Sequence, residues 1–420
     1  MPLLAAEPLS PSYLPKTRNA AITVAAVVLV DGAYFCTMPL LPSFLGTLGI
    51  TPASHVAAWT GVLTGITPGI AAAIGPWWGK VGNRTGLWWM AVRGTAALAV
   101  IWLLTAFVQD VHQLLALRIL LGFLGGYQTL VMALATHGAA PGTAGRIIAR
   151  VQITQISTAA MAPTIGGYLA GKIGIRALFF GSSALCFAAL GMFIAGYRNA
   201  PPAEAEVRQL EPGARASAMR WLAFLLFLQA MIDRSFQPLS ALWAAAHAHS
   251  PAQSAELAGV ILSVGALGDG LAAWWCGRTS GTQRRRLLLR SAAGSAVCFV
   301  LSYVVSVPAL LVLRALLSLS AEGGLTILYA MASRLVPESS RASDFSLLSS
   351  CVLFGQGVGS FAAGLLTARD LRFVFYLNSG LFAVMALLIQ RSRLLRRVEG
   401  KARCPEYYDF RETPDFEDRV

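Results

Sequence analysis

Seven charged side chains interrupt long apolar stretches of this sequence. Four are acidic and three are basic: Asp31, Asp233, Asp269, Glu322, Arg118, Arg234 and Arg314. A carboxylate in apolar surroundings costs at least ~2.5 kcal/mol and persists mainly where it is paired or faces water. Because such surroundings disfavour the charged form, a carboxylate there can bind and release a proton near neutral pH. The pattern therefore predicts proton exchange, with structural ion pairing as the alternative for any single acid.

Two of the arginines begin the same helical pattern in different parts of the chain. Arg118, Gly122 and Gly126 are spaced four residues apart, so on a continuous helix they share one face, and the glycines admit a close neighbour. The second pattern begins at Arg314 and has Glu322 where the first has its last glycine. Arg314 and Glu322 would lie roughly 12 Å apart along a helix, so we expect each to have another partner.

Other chemistries leave no comparable signal. The sequence has no phosphate-binding glycine-rich loop with lysine, no His/Cys set at metal-ligand spacing and no nucleophile elbow. The six cysteines are scattered, and most lie in apolar stretches as small packing residues. We therefore expect neither an enzyme nor a metal or organic cofactor, and the proton is the expected coupling ion.

The elements that position these charges are predicted to be membrane-spanning helices. Hydrophobic residues make up 56% of the 420 residues and charged residues only 13%, about half the share of a soluble domain. A spanning helix needs roughly 20 apolar residues. We predict an all-α membrane protein with twelve such helices, at 20–45, 56–78, 89–109, 113–136, 147–170, 176–197, 219–245, 256–276, 287–306, 309–332, 344–366 and 372–390.

The formal net charge of +13 invites a nucleic-acid partner, but its distribution argues against one. Most Lys and Arg residues lie in the N-terminal segment, in alternate loops and in the C-terminal tail, all on one side of the predicted membrane. The opposite side holds only Lys172, Arg176, Arg369 and Arg372. This asymmetry is the positive-inside pattern. It predicts a multi-pass protein of the inner (cytoplasmic) membrane with both termini in the cytoplasm and no nucleic-acid partner. We also expect a monomer in contact with lipid.

An internal repeat divides the chain into two related halves. The stretch LLALRILLGFLGG around Arg118 matches LLVLRALLSLSAEGG around Arg314 at an offset of 196 residues, and the same offset carries Pro141 onto Pro337. Each half is therefore predicted to contain six helices. The predicted regions are a cytoplasmic N-terminal segment (1–19), a first half (20–197), a polar central loop (198–218), a second half (219–390) and a disordered cytoplasmic tail (391–420).

Each half is expected to contribute to proton exchange. Asp31 is the expected partner of Arg118 in the first half, and Glu322 is the extra carboxylate of the second. We expect these two acids to divide the coupling between the halves, with Asp233 and Asp269 as the next candidates.

Three short stretches resemble motifs of one transporter family. GPWWGKVGNRTG (75–86) resembles its signature loop between helices 2 and 3, RILLGFLGG (118–126) its membrane-embedded arginine motif, and APTIGG (162–167) its helix-5 antiporter motif. The positions that carry the loop and antiporter resemblances are Gly75, Gly79, Asn83, Arg84, Gly86, Pro163, Gly166 and Gly167. Asn83 stands where the family usually has aspartate.

On these motifs the sequence resembles the major facilitator superfamily, and within it the drug:proton antiporters. The resemblance implies two six-helix halves around a central substrate site that opens to one side at a time. It implies that the loop helps hold the outward-open state, more weakly with Asn83, and that the helix-5 motif is associated with export.

The implied function is proton-coupled export of small amphipathic compounds or drugs, so the expected partners are a small-molecule substrate and protons. The alternatives are an exporter of one endogenous metabolite such as a siderophore, an uptake carrier, and a non-transporting membrane scaffold or sensor.

Overall fold

The computed structural model describes residues 14–136, 144–197, 213–278, 283–304, 306–335 and 341–391. Within these ranges the chain is helical and contains no β-strand. The helices are α1 (Leu14–Thr37), α2 (Leu41–Thr47), α3 (Ala53–Thr85), α4 (Leu87–Phe107), α5 (Val111–Leu124), α6 (Tyr127–Thr136), α7 (Ala144–Ile173), α8 (Ile175–Gly196), α9 (Gly213–His247), α10 (Pro251–Arg278), α11 (Gln283–Leu301), α12 (Val307–Leu335), α13 (Arg341–Thr367) and α14 (Arg372–Arg391). A 3-10 turn, Met38–Leu40, joins α1 to α2.

The helices form twelve membrane-crossing segments, because α1 with α2 and α5 with α6 each make a single crossing. In the described part of the chain, seven helical spans are long and apolar enough to cross a membrane, judged by length and composition. The helix α5 and the first part of α12 are apolar but shorter. The all-α prediction and the two-half, twelve-helix architecture are thus confirmed.

Two predicted helices differ from those observed. The helix predicted at 113–136 is broken, because α5 ends at Leu124 and α6 begins at Tyr127. Between them Gly126 has φ +94°, a left-handed conformation that suits glycine. The helix predicted at 20–45 begins earlier and tightens into the 3-10 turn at Pro39.

Some predicted features fall on residues that the structure does not describe. These are the first residues of the N-terminal segment, the residues 198–212 of the central loop, the tail from 392 onward, and the repeat prolines Pro141 and Pro337. The helix α9 begins at Gly213, inside the segment predicted as loop.

Each half has its own hydrophobic core. One cluster of buried side chains runs from Ala26 to Tyr197 and the other from Met219 to Ile389, with no residue in common. The repeat is also visible in individual contacts. Ser183 Oγ donates to the Ala99 carbonyl at 2.8 Å, and at the same 196-residue offset Ser379 Oγ donates to the Ser295 carbonyl at 3.0 Å. The two halves are therefore structurally equivalent units.

The halves meet along two helix pairs, α3 with α13 and α7 with α10. We call the membrane face where α1 begins and α14 ends the terminal face, and the other the far face. Near the far face, a small cluster of buried residues joins the halves, with Leu40 and Ala170 from the first and Ala255 from the second. The halves are therefore packed together at the far face.

Candidate functional site

Among the residues that the structure describes, a group of membrane-embedded charges lies in the second half, where α9, α10 and α12 meet. Asp269 of α10 is close enough to Asp233 of α9 and Arg314 of α12 for their charges to interact, and its carboxyl group faces the Ser318 hydroxyl. The Arg314 guanidinium donates from Nη1 to the same hydroxyl. The structure thus brings three of the seven predicted charges together, and two of them, Asp269 and Arg314, share one serine.

Two glycines of α10 allow α12 to approach this closely. A Cβ atom at Gly265 would lie 2.5 Å from Nη2 of Arg314, and one at Gly268 would lie 2.7 Å from Cβ of Ser318. Side chains at either position would overlap with α12. The guanidinium therefore lies directly against the α10 backbone, one helical turn from Asp269.

This cluster holds more negative than positive charge. Arg314 is 8% exposed, and no carboxylate of the described residues lies within 4.0 Å of its guanidinium. The Oδ1 atom of Asp269 is buried without a hydrogen-bond partner in the described part of the chain. Asp269 interacts with the charges of both Asp233 and Arg314, and the three groups together carry one negative charge when all are ionised. Because a net charge within a membrane is costly, the arrangement suits binding of a proton or a cationic group.

Arg234 does not join this cluster, although it follows Asp233 directly in α9. Adjacent residues of an α-helix point in directions about 100° apart. The Nη1 atom of Arg234 donates to Oε1 of Gln237 at 2.8 Å, one turn further along the same helix. Its predicted role in the cavity stays a prediction.

In the first half, Asp31 is buried among polar side chains of neighbouring helices. It is 1% exposed, and Gln155 Nε2 of α7 donates to its Oδ2 at 3.4 Å. Tyr127 of α6 and Cys186 of α8 also lie within reach of its charge. Asp31 therefore links α1 to three other helices of its own half.

Arg118 lies elsewhere in that half, and its predicted pairing with Asp31 is not formed. The guanidinium lies over the Trp102 ring at 5.3 Å, near Tyr34, and no carboxylate of the described residues is within 4.0 Å. Its backbone is held by Thr67 of α3, whose Oγ1 donates to the Arg118 carbonyl at 3.0 Å. A cation over an indole ring is stabilised without a carboxylate.

The helix face predicted to follow Arg118 is shorter than expected. Gly122 lies on it, and a Cβ there would be 2.8 Å from the Thr67 carbonyl oxygen, so glycine is needed for the contact with α3. Gly126 lies beyond the end of α5 and does not continue the face. The consecutive glycines at 125 and 126 end the helix instead.

Two predicted residues have side chains that the structure does not describe. Glu322 lies within α12 and Asn83 within α3. The coupling role of Glu322 and the weakened latch at Asn83 therefore stay predictions.

The predicted gating loop joins α3 to α4 at the terminal face. Gly86 connects the two helices with φ +87°, and Arg84 is exposed in the last turn of α3. A Cβ at Gly75 would lie 3.7 Å from Oγ of Ser350 in α13, whereas one at Gly79 would meet open space. The loop region thus approaches the other half at Gly75, and its gating role stays a prediction.

Sequence analysis missed Arg93, which secures the break between α5 and α6. Its Nη1 donates to the Leu124 carbonyl at 2.6 Å and its Nη2 to the Gly125 carbonyl at 2.9 Å. Its Cζ lies 3.5 Å from the Trp78 ring centre, and Trp78 Nε1 donates to the Phe123 carbonyl at 2.7 Å. Carbonyl groups freed inside a membrane must find donors. Arg93 and Trp78 therefore connect the loop motif to the arginine motif.

The repeat contained the signal that would have found Arg93. Its counterpart Arg290, at an offset of 197 residues, donates from Nη1 to the carbonyl of Leu319 at 3.1 Å. Both arginines thus bond to the next membrane crossing of their own half. An arginine within a membrane-spanning helix is costly unless it has partners, so its recurrence at equivalent positions of the two halves indicates a structural role.

The helix-5 motif lies at a three-helix contact that includes the other half. A Cβ at Gly166 would overlap with the Cys36 carbonyl oxygen of α1, and one at Gly167 would overlap with that of Ala255 in α10. Pro163 is buried at the same contact. The motif therefore faces protein and not lipid, while its link to export direction stays a prediction.

This chain is similar to known multidrug resistance proteins over part of their length. The chain is 29% identical over 264 residues to multidrug resistance protein MdtG of Salmonella paratyphi C (strain RKS4594), covering 61% of this chain and 65% of that protein. It is 30% identical over 253 residues to the protein of that name in Proteus mirabilis (strain HI4320), covering 59% and 63%. The chain thus spans slightly less than two thirds of these relatives.

Solved structures share the fold at low sequence identity. A bacterial homologue of the human lysosomal transporter Spinster has a TM-score of 0.73 and 15% identity, covering 95% of this chain and 100% of that one. The human organic anion transporter MFSD10 (TETRAN) has a TM-score of 0.68 and 15% identity, covering 90% and 100%.

The match to a protein family covers most of the chain, in two parts that follow the two halves. Residues 23–225 and again residues 222–403 match the Major Facilitator Superfamily. This agrees with the twelve crossings, the paired cores and the repeated contacts. The chain therefore belongs to the Major Facilitator Superfamily, and it contains helices long and apolar enough to span a membrane.

Proposed function

We propose that this chain is a proton-coupled exporter of small amphipathic compounds, acting by alternating access in the bacterial inner membrane with both termini in the cytoplasm. The observation that carries the proposal is the cluster of Asp233, Asp269 and Arg314 in the second half. The multidrug resistance proteins named above support the substrate class. We propose that the transporter works as a monomer in contact with lipid.

The cluster suggests how exchange would work. With both carboxylates ionised it has one negative charge in excess, and either a proton or a cationic substrate removes that excess. Because both neutralise the same charge, binding of one opposes binding of the other, which is the requirement for antiport. Arg314 makes simultaneous binding of two protons or cations less favourable by supplying a permanent positive charge.

The packing of the halves supports alternating access. They are joined near the far face through Leu40 and Ala255, and along the glycine contacts of α3 with α13. A transporter with this face closed would have its cavity open toward the terminal face when it binds substrate. The halves would then rock about these contacts.

The test uses purified protein in liposomes that enclose a pH-sensitive dye. When an amphipathic cation such as ethidium is added, protons should move in the opposite direction to the cation. The resulting pH change should disappear when an uncoupler is present. The matched variants are Asp269→Asn, which should abolish the proton signal, and Asp370→Asn, an exposed carboxylate at the start of α14 that should not change it. Substrate movement with no proton signal would contradict proton coupling, and no movement across a broad panel of amphipathic compounds would favour the single-metabolite, uptake or scaffold alternatives.

A further inference from the structure

One stripe of α9 stays partly accessible inside the molecule. Between Ile232 and Ala244, every side chain of this helix is buried except those of Asp233, Arg234 and Gln237. These three residues lie on one side of the helix, because each residue turns the direction by about 100°. The helix contacts α10, α12, α13 and α14 of its own half and α2 and α3 of the first half. The accessible stripe therefore opens onto space between helices and not onto lipid.

The Arg234 guanidinium has free donors on this stripe. Its Nη1 donates to Oε1 of Gln237 at 2.8 Å, which is its single hydrogen bond within the described residues. Nε is buried without an acceptor there, whereas Nη2, which also has none, is not among the buried atoms. A guanidinium presents several N–H groups in a planar fork. The remaining N–H groups of Nη1 and Nη2 are thus left to a partner from outside the chain.

Other arginines of the helices have their partners within the chain. Arg93 and Arg176 each donate from both Nη atoms to backbone carbonyls. The guanidinium groups of Arg118 and Arg314 each lie near an aromatic ring. In the described part of the chain, Arg234 has neither kind of partner and bonds only a side-chain amide. Packing therefore explains the other arginines but not Arg234.

The accessible stripe presents charges of both signs. Asp233 precedes Arg234, but no carboxylate of the described residues lies within 4.0 Å of the guanidinium. The Asp233 carboxylate instead lies within reach of the charge of Asp269 on α10. Consecutive side chains of a helix diverge, so the acid and the base face the same space in different directions. A ligand with one cationic and one anionic group would neutralise both.

We propose that Arg234 binds an anionic group of the substrate, and that this transporter recognises zwitterionic amphipathic compounds. The cationic end of the substrate lies at Asp233 and Asp269, and its carboxylate accepts hydrogen bonds from Nη1 and Nη2 of Arg234. Arginine binds carboxylates through such paired N–H groups, and these charge-assisted bonds are about twice as strong as neutral ones. Gln237 holds the guanidinium in place for this contact. The inference rests on the proposed function, because it names the substrate class of that transporter.

Such a site distinguishes a zwitterion from the same compound with its acid group esterified. The ester keeps the cationic end and the apolar body but loses the charge that Arg234 recognises. Loss of a hydrogen bond to a charged partner changes affinity by about tenfold or more. The contribution of Arg234 can therefore be measured with one matched pair of compounds.

The test measures binding of rhodamine B and of its ethyl ester by fluorescence polarisation, with the purified full chain in detergent. Rhodamine B joins a cationic ring system to a carboxylate, whereas the ester is a cation only. We expect Arg234→Ala to weaken binding of rhodamine B about tenfold and to change binding of the ester less than about twofold. The matched control is Arg369→Ala, an exposed arginine between α13 and α14, which should change neither affinity. Unchanged binding of rhodamine B, or an equal loss for both dyes, would overturn the proposal.

A second variant tests the site without removing the guanidinium. Gln237→Glu keeps the shape of the side chain and places a carboxylate on Nη1 of Arg234, which then competes with that of the substrate. Binding of rhodamine B should weaken several-fold, and binding of the ester should not weaken, because the added charge is negative. A Gln237→Glu protein that binds rhodamine B as tightly as the wild type would also contradict the anion site.

Binding in detergent requires no gradient, so the two proposals can fail separately. Loss of rhodamine B selectivity in Arg234→Ala, without a proton signal in the liposome assay, would remove proton coupling and keep the anion site. A proton signal without that selectivity would remove the anion site alone.

Discussion

The two halves keep the same arginine at the same place in the repeat but surround it differently. Arg118 lies over an indole ring with its space filled by aromatic side chains, and Asp31 lies elsewhere among polar groups. Arg314 lies against a glycine backbone and near the Phe236 ring, and it interacts with Asp269, with a cavity next to it. The shared fold therefore accounts for the arginines, and the acids are specific to one half.

The repeat makes this division clear. At the 196-residue offset, Asp31 corresponds to Phe227, and Asp233 and Asp269 correspond to Thr37 and Ala73. No acid of one half has an acidic counterpart in the other. We infer that the first half holds its arginine as part of a rigid packing unit, and that the second half uses its arginine to balance the charge of a nearby carboxylate.

A double-mutant cycle in each half tests most directly whether the arginine and the acid of that half are energetically coupled. Arg314→Ala and Asp269→Asn should be coupled by roughly 0.5–3 kcal/mol in the free energy of unfolding, because their charges interact in a buried site. Arg118→Ala and Asp31→Asn should be additive within about 0.5 kcal/mol, since the structure does not pair them. Steric-trap unfolding in nanodiscs measures both cycles. A larger coupling in the first half would reverse the assignment.

A second comparison uses two equivalent glycines. Gly265 lies against Arg314, whereas a Cβ atom at its first-half counterpart Gly69 would meet no other atom within 4 Å. Gly265→Ala should destabilise the protein by roughly 1–3 kcal/mol through overpacking and impair transport. Gly69→Ala should be neutral or stabilising by up to about 1 kcal/mol, because alanine favours helix. Equal effects on unfolding and on substrate flux would show that the close approach of α10 to Arg314 does not matter.

A smaller difference is expected between the structural arginines of the two halves. Arg93 bonds two carbonyls at the break between α5 and α6, whereas Arg290 bonds one carbonyl of the continuous α12. Losing a hydrogen bond costs about 1 kcal/mol, so Arg93→Gln should cost about twice as much as Arg290→Gln. Hydrogen exchange should rise at the start of α6 in the first variant. Protection there equal to the wild type would mean that Arg93 does not hold the break.

Sequence patterns predicted the helices, the repeat and the arginines because each depends on local composition or on spacing along one chain. They did not predict which acid meets which arginine. That depends on the relative height and rotation of neighbouring helices, which close contacts such as Gly265 against Arg314 determine. The prediction therefore paired Asp31 with Arg118, which the structure separates. It ranked Asp269 only as a later candidate for proton coupling, although Asp269 lies in the charged cluster of the second half.

The broken helix illustrates the same limit. Spacing by four residues placed Gly126 on the face of Arg118, but this assumes a continuous helix. Two consecutive glycines end α5 because Arg93 and Trp78, which are distant in sequence, bond the freed carbonyls. Repeated basic residues in apolar helices are the signal that would improve such a prediction.

The most direct test of the central claim compares Asp269→Asn with Asp31→Asn in the same liposomes. The measured quantity is substrate accumulation against its own gradient when a pH gradient is imposed. We expect Asp269→Asn to retain downhill substrate movement and lose accumulation, because its carboxyl group can no longer exchange a proton. Asp31→Asn should still accumulate substrate in response to the pH gradient, at a rate set by protein abundance. Full accumulation by Asp269→Asn, together with its loss in Asp31→Asn, would contradict the assignment of coupling to the second half.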